Sequence, residues 1–165
     1  MKTNIQERIA ALREAMKEKN IDAYIIPSSD PHLSEYPADR WKSREWISGF
    51  DGSAGTVVIT ADKAGLWTDS RYFLQAGIQL EGTGIELYKM ALPETPTIPD
   101  FLLHELQNGQ TVGMDGQTYS VTDAAQLERT LNRKGIKLEA SYDLIDQVWK
   151  DRPAIPGNPL FEMPV

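Results

Sequence analysis

Three stretches hold the residues that could do chemistry: Asp30-Pro31-His32-Leu33-Ser34-Glu35, the glycine-rich run ISGFDGSAGTVVIT from Ile47 to Thr60, and Asp69-Ser70-Arg71. The glycine run fits no nucleotide cradle, because no Lys follows Gly55 and the G-x-G-x-x-G spacing is absent. Nor is Ser53 centred in a G-x-S-x-G elbow, so serine-nucleophile chemistry lacks its usual frame. What remains is a turn that glycine permits ahead of a β-branched strand. Metal chemistry is poorly supplied, since the imidazoles are His32 and His104 and there is no cysteine. The loop acids Asp30, Glu35, Asp51, Asp62 and Asp69 could act as acids or bases only if two converge, which the sequence does not show, and isolated loop acids usually serve as caps or face solvent. Arg71 is more specific. An arginine in the first turn of a helix opposes the helix dipole, so a negative group must offset it, either an acidic neighbour or a ligand carboxylate.

These residues need elements to hold them. Ile5, Ile9, Leu12 and Met16 recur at helical spacing, which predicts a helix over about 4–19, with Thr3 and Gln6 spaced as a capping box. Ala23-Tyr24-Ile25-Ile26 reads as a buried strand stopped by Pro27 and followed by a polar, proline-punctuated loop. A helix is expected near 39–47. Thr56–Thr60 and Gly65–Thr68 flank a four-residue turn and read as a hairpin. Asp69-Ser70 caps a helix through RYFLQAGIQL, followed by a strand over 85–90 and a proline-rich loop, ALPETPTIPD. FLLHELQ (101–107) reads as a helix with His104 on its surface, and Thr111–Met114 as a strand. Ser120 and Asp123 cap a helix ending near Gly135, with Ala124, Leu127 and Leu131 on its apolar face. IKLEASY then reads as a strand and DLIDQVWK as a short helix. Strands alternating with helices indicate an α/β fold, and the hairpin makes its β-sheet mixed, flanked by helices.

A chain of 165 residues is the size of one domain. Its apolar fraction of 41% and charged fraction of 25% are ordinary for a globular protein, and no apolar run is long enough to span a bilayer. A net charge of −7 with scattered Lys and Arg argues against a nucleic-acid partner. The lack of cysteine suits a reducing, cytoplasmic setting. Pro153, Pro156, Pro159 and Pro164 mark residues 153–165 as a linker, leaving 1–152 as the folded domain. The tryptophans Trp41, Trp46, Trp67 and Trp149 are expected in the core or at a domain interface.

Four separated motifs, AYIIPSSDPHLSEY, SGFDGSAGTVVIT, LWTDSRYFLQA and DQVWKDRP, together resemble the amino-terminal domain of aminopeptidase P (Xaa-Pro aminopeptidase), in its long, three-domain form. The resemblance spans about residues 5 to 155. It implies a mixed-sheet α/β amino-terminal domain of the creatinase/prolidase type (ribonuclease H-like), followed by a second domain and a pita-bread catalytic domain. That last domain would hold two divalent metal ions, commonly manganese, through an Asp/Asp/His/Glu/Glu set, and none of those ligands is expected in this chain. The implied activity removes the amino-terminal residue of Xaa-Pro peptides, with the metals activating water. In the family's T-D-[GS]-R-Y-F-L-Q-A motif the arginine is associated with substrate binding, which falls on Arg71; Ser70 stands where relatives often have Gly. His32 and Glu35, within D-x-H-x-S-E-Y, are carried over only as lining of the same face. The implied partners are Xaa-Pro peptides, the protein's own catalytic domain and a second copy in a homodimer. Two other readings share the fold: a free-standing binding module, and the amino-terminal domain of a prolidase or creatinase relative.

Overall fold

The computed structural model describes residues 2–159 and 162, and side chains from residue 4 onward. The chain runs α1 (Lys2–Glu18), β1 (Ala23–Pro27), α2 (Ser43–Ser48), β2 (Thr56–Thr60), β3 (Ala64–Thr68) and α3 (Phe73–Leu80). It continues with β4 (Glu86–Lys89), α4 (Ile98–Glu105), β5 (Thr111–Met114), α5 (Val121–Asn132), β6 (Lys137–Glu139) and α6 (Leu144–Val148). The six strands form one sheet in the order β4-β3-β2-β1-β5-β6. β2 is antiparallel to β1 and β3, while β3–β4, β1–β5 and β5–β6 are parallel. The two reversals cancel, so β1, β3, β4, β5 and β6 all point the same way. Their carboxy ends share one edge of the sheet with the start of β2.

Strand alternation sorts the side chains into two cores. Tyr24, Ile26, Val57, Ile59 and Leu66 pack with α1 (Ile5, Ile9, Leu12), α2 (Ile47), α3 (Ala76, Leu80) and α6 (Leu144, Ile145). Their neighbours Ala23, Ile25, Val58 and Trp67 point the other way, joining Val112 and Met114 of β5 against Phe101 and Leu102 of α4 and Leu127 and Leu131 of α5. The result is a three-layer α/β/α sandwich, in keeping with the mixed-sheet expectation.

Several boundaries differ from the sequence reading, each for a local reason. The helix expected at 101–107 begins at Ile98, because the Thr97 hydroxyl accepts the Asp100 N–H and Pro99 sits in the first turn, where a missing N–H costs nothing. The helix expected near 39–47 splits into a 3-10 turn at Asp39–Trp41 and α2. The strand read in IKLEASY shortens to Lys137–Glu139, after which Ser141 makes only an isolated bridge to Asp115. The Ser120 cap stands as expected, its hydroxyl accepting from Asp123 N–H at 3.0 Å. Trp67 is buried, whereas Trp41, Trp46 and Trp149 are half-buried, the latter two stacked at 5.1 Å. The Thr3 side chain of the capping-box reading, and residues 160, 161 and 163–165 of the linker reading, lie outside the described residues.

Candidate functional site

Open α/β sheets present ligands with the carboxy ends of their strands. Here that edge carries Ser28 and Ser29 after β1, Gly55 before β2, and Asp69 after β3. Asp69 caps the 3-10 turn Ser70–Tyr72 that leads into α3, accepting the Arg71 backbone N–H at 3.0 Å. The same carboxylate takes the Arg71 side chain in a two-point pair, Nε to Oδ1 and Nη2 to Oδ2, both at 2.9 Å. The anion demanded by an arginine in the first turn is therefore the acidic neighbour two residues before it. Arg71 Nη1 takes no part in the pair, and its side chain is 65% exposed.

This pair sets the titration of Asp69. The Arg71 guanidinium holds its carboxyl below the ordinary aspartate range, and the Arg71 pKa is raised in return. Since the folded value is the depressed one, the contribution to stability is complete above the unfolded aspartate pKa and is lost as pH falls through the folded value. Carbon-detected NMR titration should place Asp69 below ordinary aspartates and move it back up in Arg71→Ala. An ordinary midpoint in the unmodified chain would contradict the pairing.

The glycine-rich turn is packed against this position. Phe50 meets Tyr72 edge-on at 5.8 Å, and the Ser53 and Tyr72 hydroxyls share a hydrogen bond of 2.6 Å. A Cβ on Gly52 would fall 2.3 Å from Phe50 Cζ and 2.8 Å from Tyr72 Cδ1, so only glycine lets the backbone lie over both rings. Asp51 Oδ1 accepts from Gln75 Nε2 at 2.6 Å and Gln79 Nε2 at 2.7 Å, which ties the turn to one face of α3. Thr68 Oγ1 donates to Ala54 O at 2.6 Å, next to Asp69. The Arg71 guanidinium lies 5.2 Å from the centre of the Tyr72 ring.

Of the residues read from sequence, Arg71 and Glu35 are linked by charge, and His32 is tied to Asp30. After Asp69, which dominates, the Glu35 charge adds in the same direction to the raised Arg71 pKa. Glu35 also lines a cavity of about 250 Å³ with Ser28, Trp41, Arg44, Asp51 and Ser53. His32 is exposed, and its backbone N–H, like that of Ser34, donates to Asp30 Oδ1 at 2.9 Å. His104 is 84% exposed on α4, as its place in FLLHELQ predicts. Among the described residues no three His, Asp or Glu side chains converge as a metal-holding group, so the donor set does not fit a metal centre here. Sequence reasoning missed Arg44, which sits in a polar stretch; the available signal was its i, i+3, i+4 spacing with buried Ile47 and Ser48 on one face of α2.

A three-layer α/β sandwich built on one mixed six-stranded sheet, with Arg71 exposed at the carboxy-terminal edge of its strands, defines the class of fold. The chain belongs to the creatinase/prolidase N-terminal domain family, whose model matches residues 8–148. It is 46% identical over 98% of its length to a protein of Laccaria bicolor named "Probable Xaa-Pro aminopeptidase P", covering 25% of that relative. Among solved structures it resembles an X-prolyl aminopeptidase of Caenorhabditis elegans, described as a cytosolic enzyme with a di-nuclear active site. The TM-score is 0.87 at 35% identity, over 94% of this chain and 27% of that one. A Streptococcus pyogenes Xaa-Pro aminopeptidase structure matches at TM-score 0.65 and 25% identity, over 90% of this chain and 99% of the other. The chain thus spans about a quarter of the length of the curated relatives it matches. No helix among the described residues is long and apolar enough to cross a membrane.

Proposed function

We propose that this chain is the amino-terminal, non-catalytic domain of a cytoplasmic, metal-dependent Xaa-Pro aminopeptidase and that it guides peptide substrates to a catalytic domain on the same polypeptide. The observation that carries this reading is the 46% identity, sustained over 98% of the chain, to an Xaa-Pro aminopeptidase P relative. The contribution of the domain is binding and orientation. Arg71 offers the peptide an exposed cation already held in place by Asp69, suited to a carboxylate or carbonyl of the substrate. Glu35 and His32 are the further residues of the chain that would line the same face. Bond cleavage belongs to the rest of the polypeptide, with two divalent ions, manganese the first to test. The exposed Leu74 and Ile78 of α3 support a contribution to pairing with a second copy.

The direct test is hydrolysis of an Xaa-Pro peptide by the full-length polypeptide, with an Xaa-Ala peptide as control. Cleavage should be confined to the proline peptide, stop on chelation and return with manganese, while residues 1–165 alone give no turnover. Metal-dependent turnover by the 165-residue chain would overturn the reading.

A further inference from the structure

Arg44 is a buried cation whose guanidinium bonds no carboxylate directly among the described residues, Glu45 and Asp51 acting on it only as nearby charges. It is 6% exposed. Its Nε donates to Ser28 Oγ at 2.8 Å, while Nη1 and Nη2 donate to the carbonyl oxygens of Phe50 and Gly52. Burial pushes its pKa down to about 10, which leaves it charged at neutral pH. A charge buried this way is costly, and an apolar side chain would fill the space without that cost. What the guanidinium alone supplies is several donors in a fixed plane.

Those donors all serve the glycine-rich turn. Phe50 O and Gly52 O fix its first half, and Ser28 passes the hold to its end by donating to Gly55 O at 2.7 Å. The guanidinium also lies 4.8 Å from the centre of the Phe50 ring, which meets Tyr72 edge-on. Ser53 bonds the Tyr72 hydroxyl, and the Arg71 guanidinium lies over the Tyr72 ring. The chain of contact runs from Arg44 through the turn to Tyr72 and ends at Arg71.

We propose that Arg44 is a positioning residue for Arg71: by holding the turn over residues 50–55 it fixes the Tyr72 ring and thereby where the Arg71 guanidinium meets the substrate. This inference rests on the reading of Arg71 as a substrate contact. Lysine at position 44 keeps the charge but cannot hold three acceptors in one plane.

The test is a double-mutant cycle in the full-length enzyme on an Xaa-Pro peptide, using Arg44→Lys with and without Arg71→Ala. Arg44→Lys should raise KM about threefold to tenfold with kcat little changed, and should have no further effect once Arg71 is alanine. A KM increase of the same factor in both backgrounds, or a loss confined to kcat, overturns the inference while leaving the Arg71 reading intact. An unchanged KM in Arg71→Ala alone overturns the Arg71 reading and this inference with it. If Arg44→Lys does not fold, Ser53→Ala reads the same coupling, since it removes only an exposed hydroxyl bonded to Tyr72. It should raise KM about twofold to threefold, again only while Arg71 is present, and an unchanged KM overturns the inference.

Discussion

Trp67→Ala should destabilise the domain by about 3–5 kcal/mol, the largest loss expected from one side chain. Trp67 is 2% exposed on β3, and its indole fills the space between the sheet and α4. It stacks on Tyr88 at 4.0 Å with an interplanar angle of 3°, and meets Phe101 edge-on at 5.0 Å. Its Nε1–H donates to Pro96 O at 2.8 Å, pinning the proline-rich loop that leads into α4. Alanine removes the apolar area, two aromatic contacts and the donor together, and a sheet interior paired on both sides has little room to collapse into the cavity. Trp67→Phe keeps most of the packing and loses the hydrogen bond, so its cost should be about 1–2 kcal/mol. Denaturant unfolding of both variants reads the difference directly. A loss below about 1 kcal/mol for alanine would mean that the β3–α4 core is not packed as described.

The fold was legible because its signals are local and repeated. Ile5, Ile9, Leu12 and Met16 announce α1 by period alone, and all four are buried. The Thr56–Thr60 and Ala64–Thr68 hairpin follows from two β-branched or apolar runs around a short turn, with Thr56 opposite Trp67; Ala64, read as the last turn residue, already pairs with Ile59. Strand order was not legible. Nothing local distinguishes β1 pairing with β5 from β1 at an edge, because that choice is made by long-range packing of Ile25 against Val112 and Met114. The start of α4 was obscured by proline, which reads as a breaker although Thr97 and Asp100 form a cap around it.

The site was legible in part. Arg71, the substrate contact proposed above, could be singled out because a cation at a helix start needs an anion, and Asp69 supplies one two residues away. The rest depends on contacts across the fold that sequence spacing does not encode. Gln75 and Gln79 reach back across more than twenty residues to Asp51, and Arg44 secures the turn from a short helix whose polar sequence resembles a solvent face. In the stretch ISGFDGSAG, Asp51 and Ser53 are engaged by Gln75, Gln79 and Tyr72. The stretch is the wall against which the Arg71 side of the domain is built.

Arg71→Ala should lower kcat/KM of the full-length enzyme about 10-fold to 100-fold on Xaa-Pro peptides, through KM, because a charge-assisted hydrogen bond to substrate contributes about 1.5–3 kcal/mol. The Asp69 pair holds Nε and Nη2 before substrate arrives, so little side-chain ordering is left to oppose binding. Stability should change little, since an exposed ion pair contributes little to folding. Arg71→Lys should fall between wild type and alanine, retaining the charge without the planar fork. The decisive measurement is steady-state kinetics of wild-type and Arg71→Ala full-length enzyme on one Xaa-Pro peptide, with melting temperature recorded in parallel. The account predicts a raised KM on an equally stable protein; identical KM and kcat in the two proteins would contradict it.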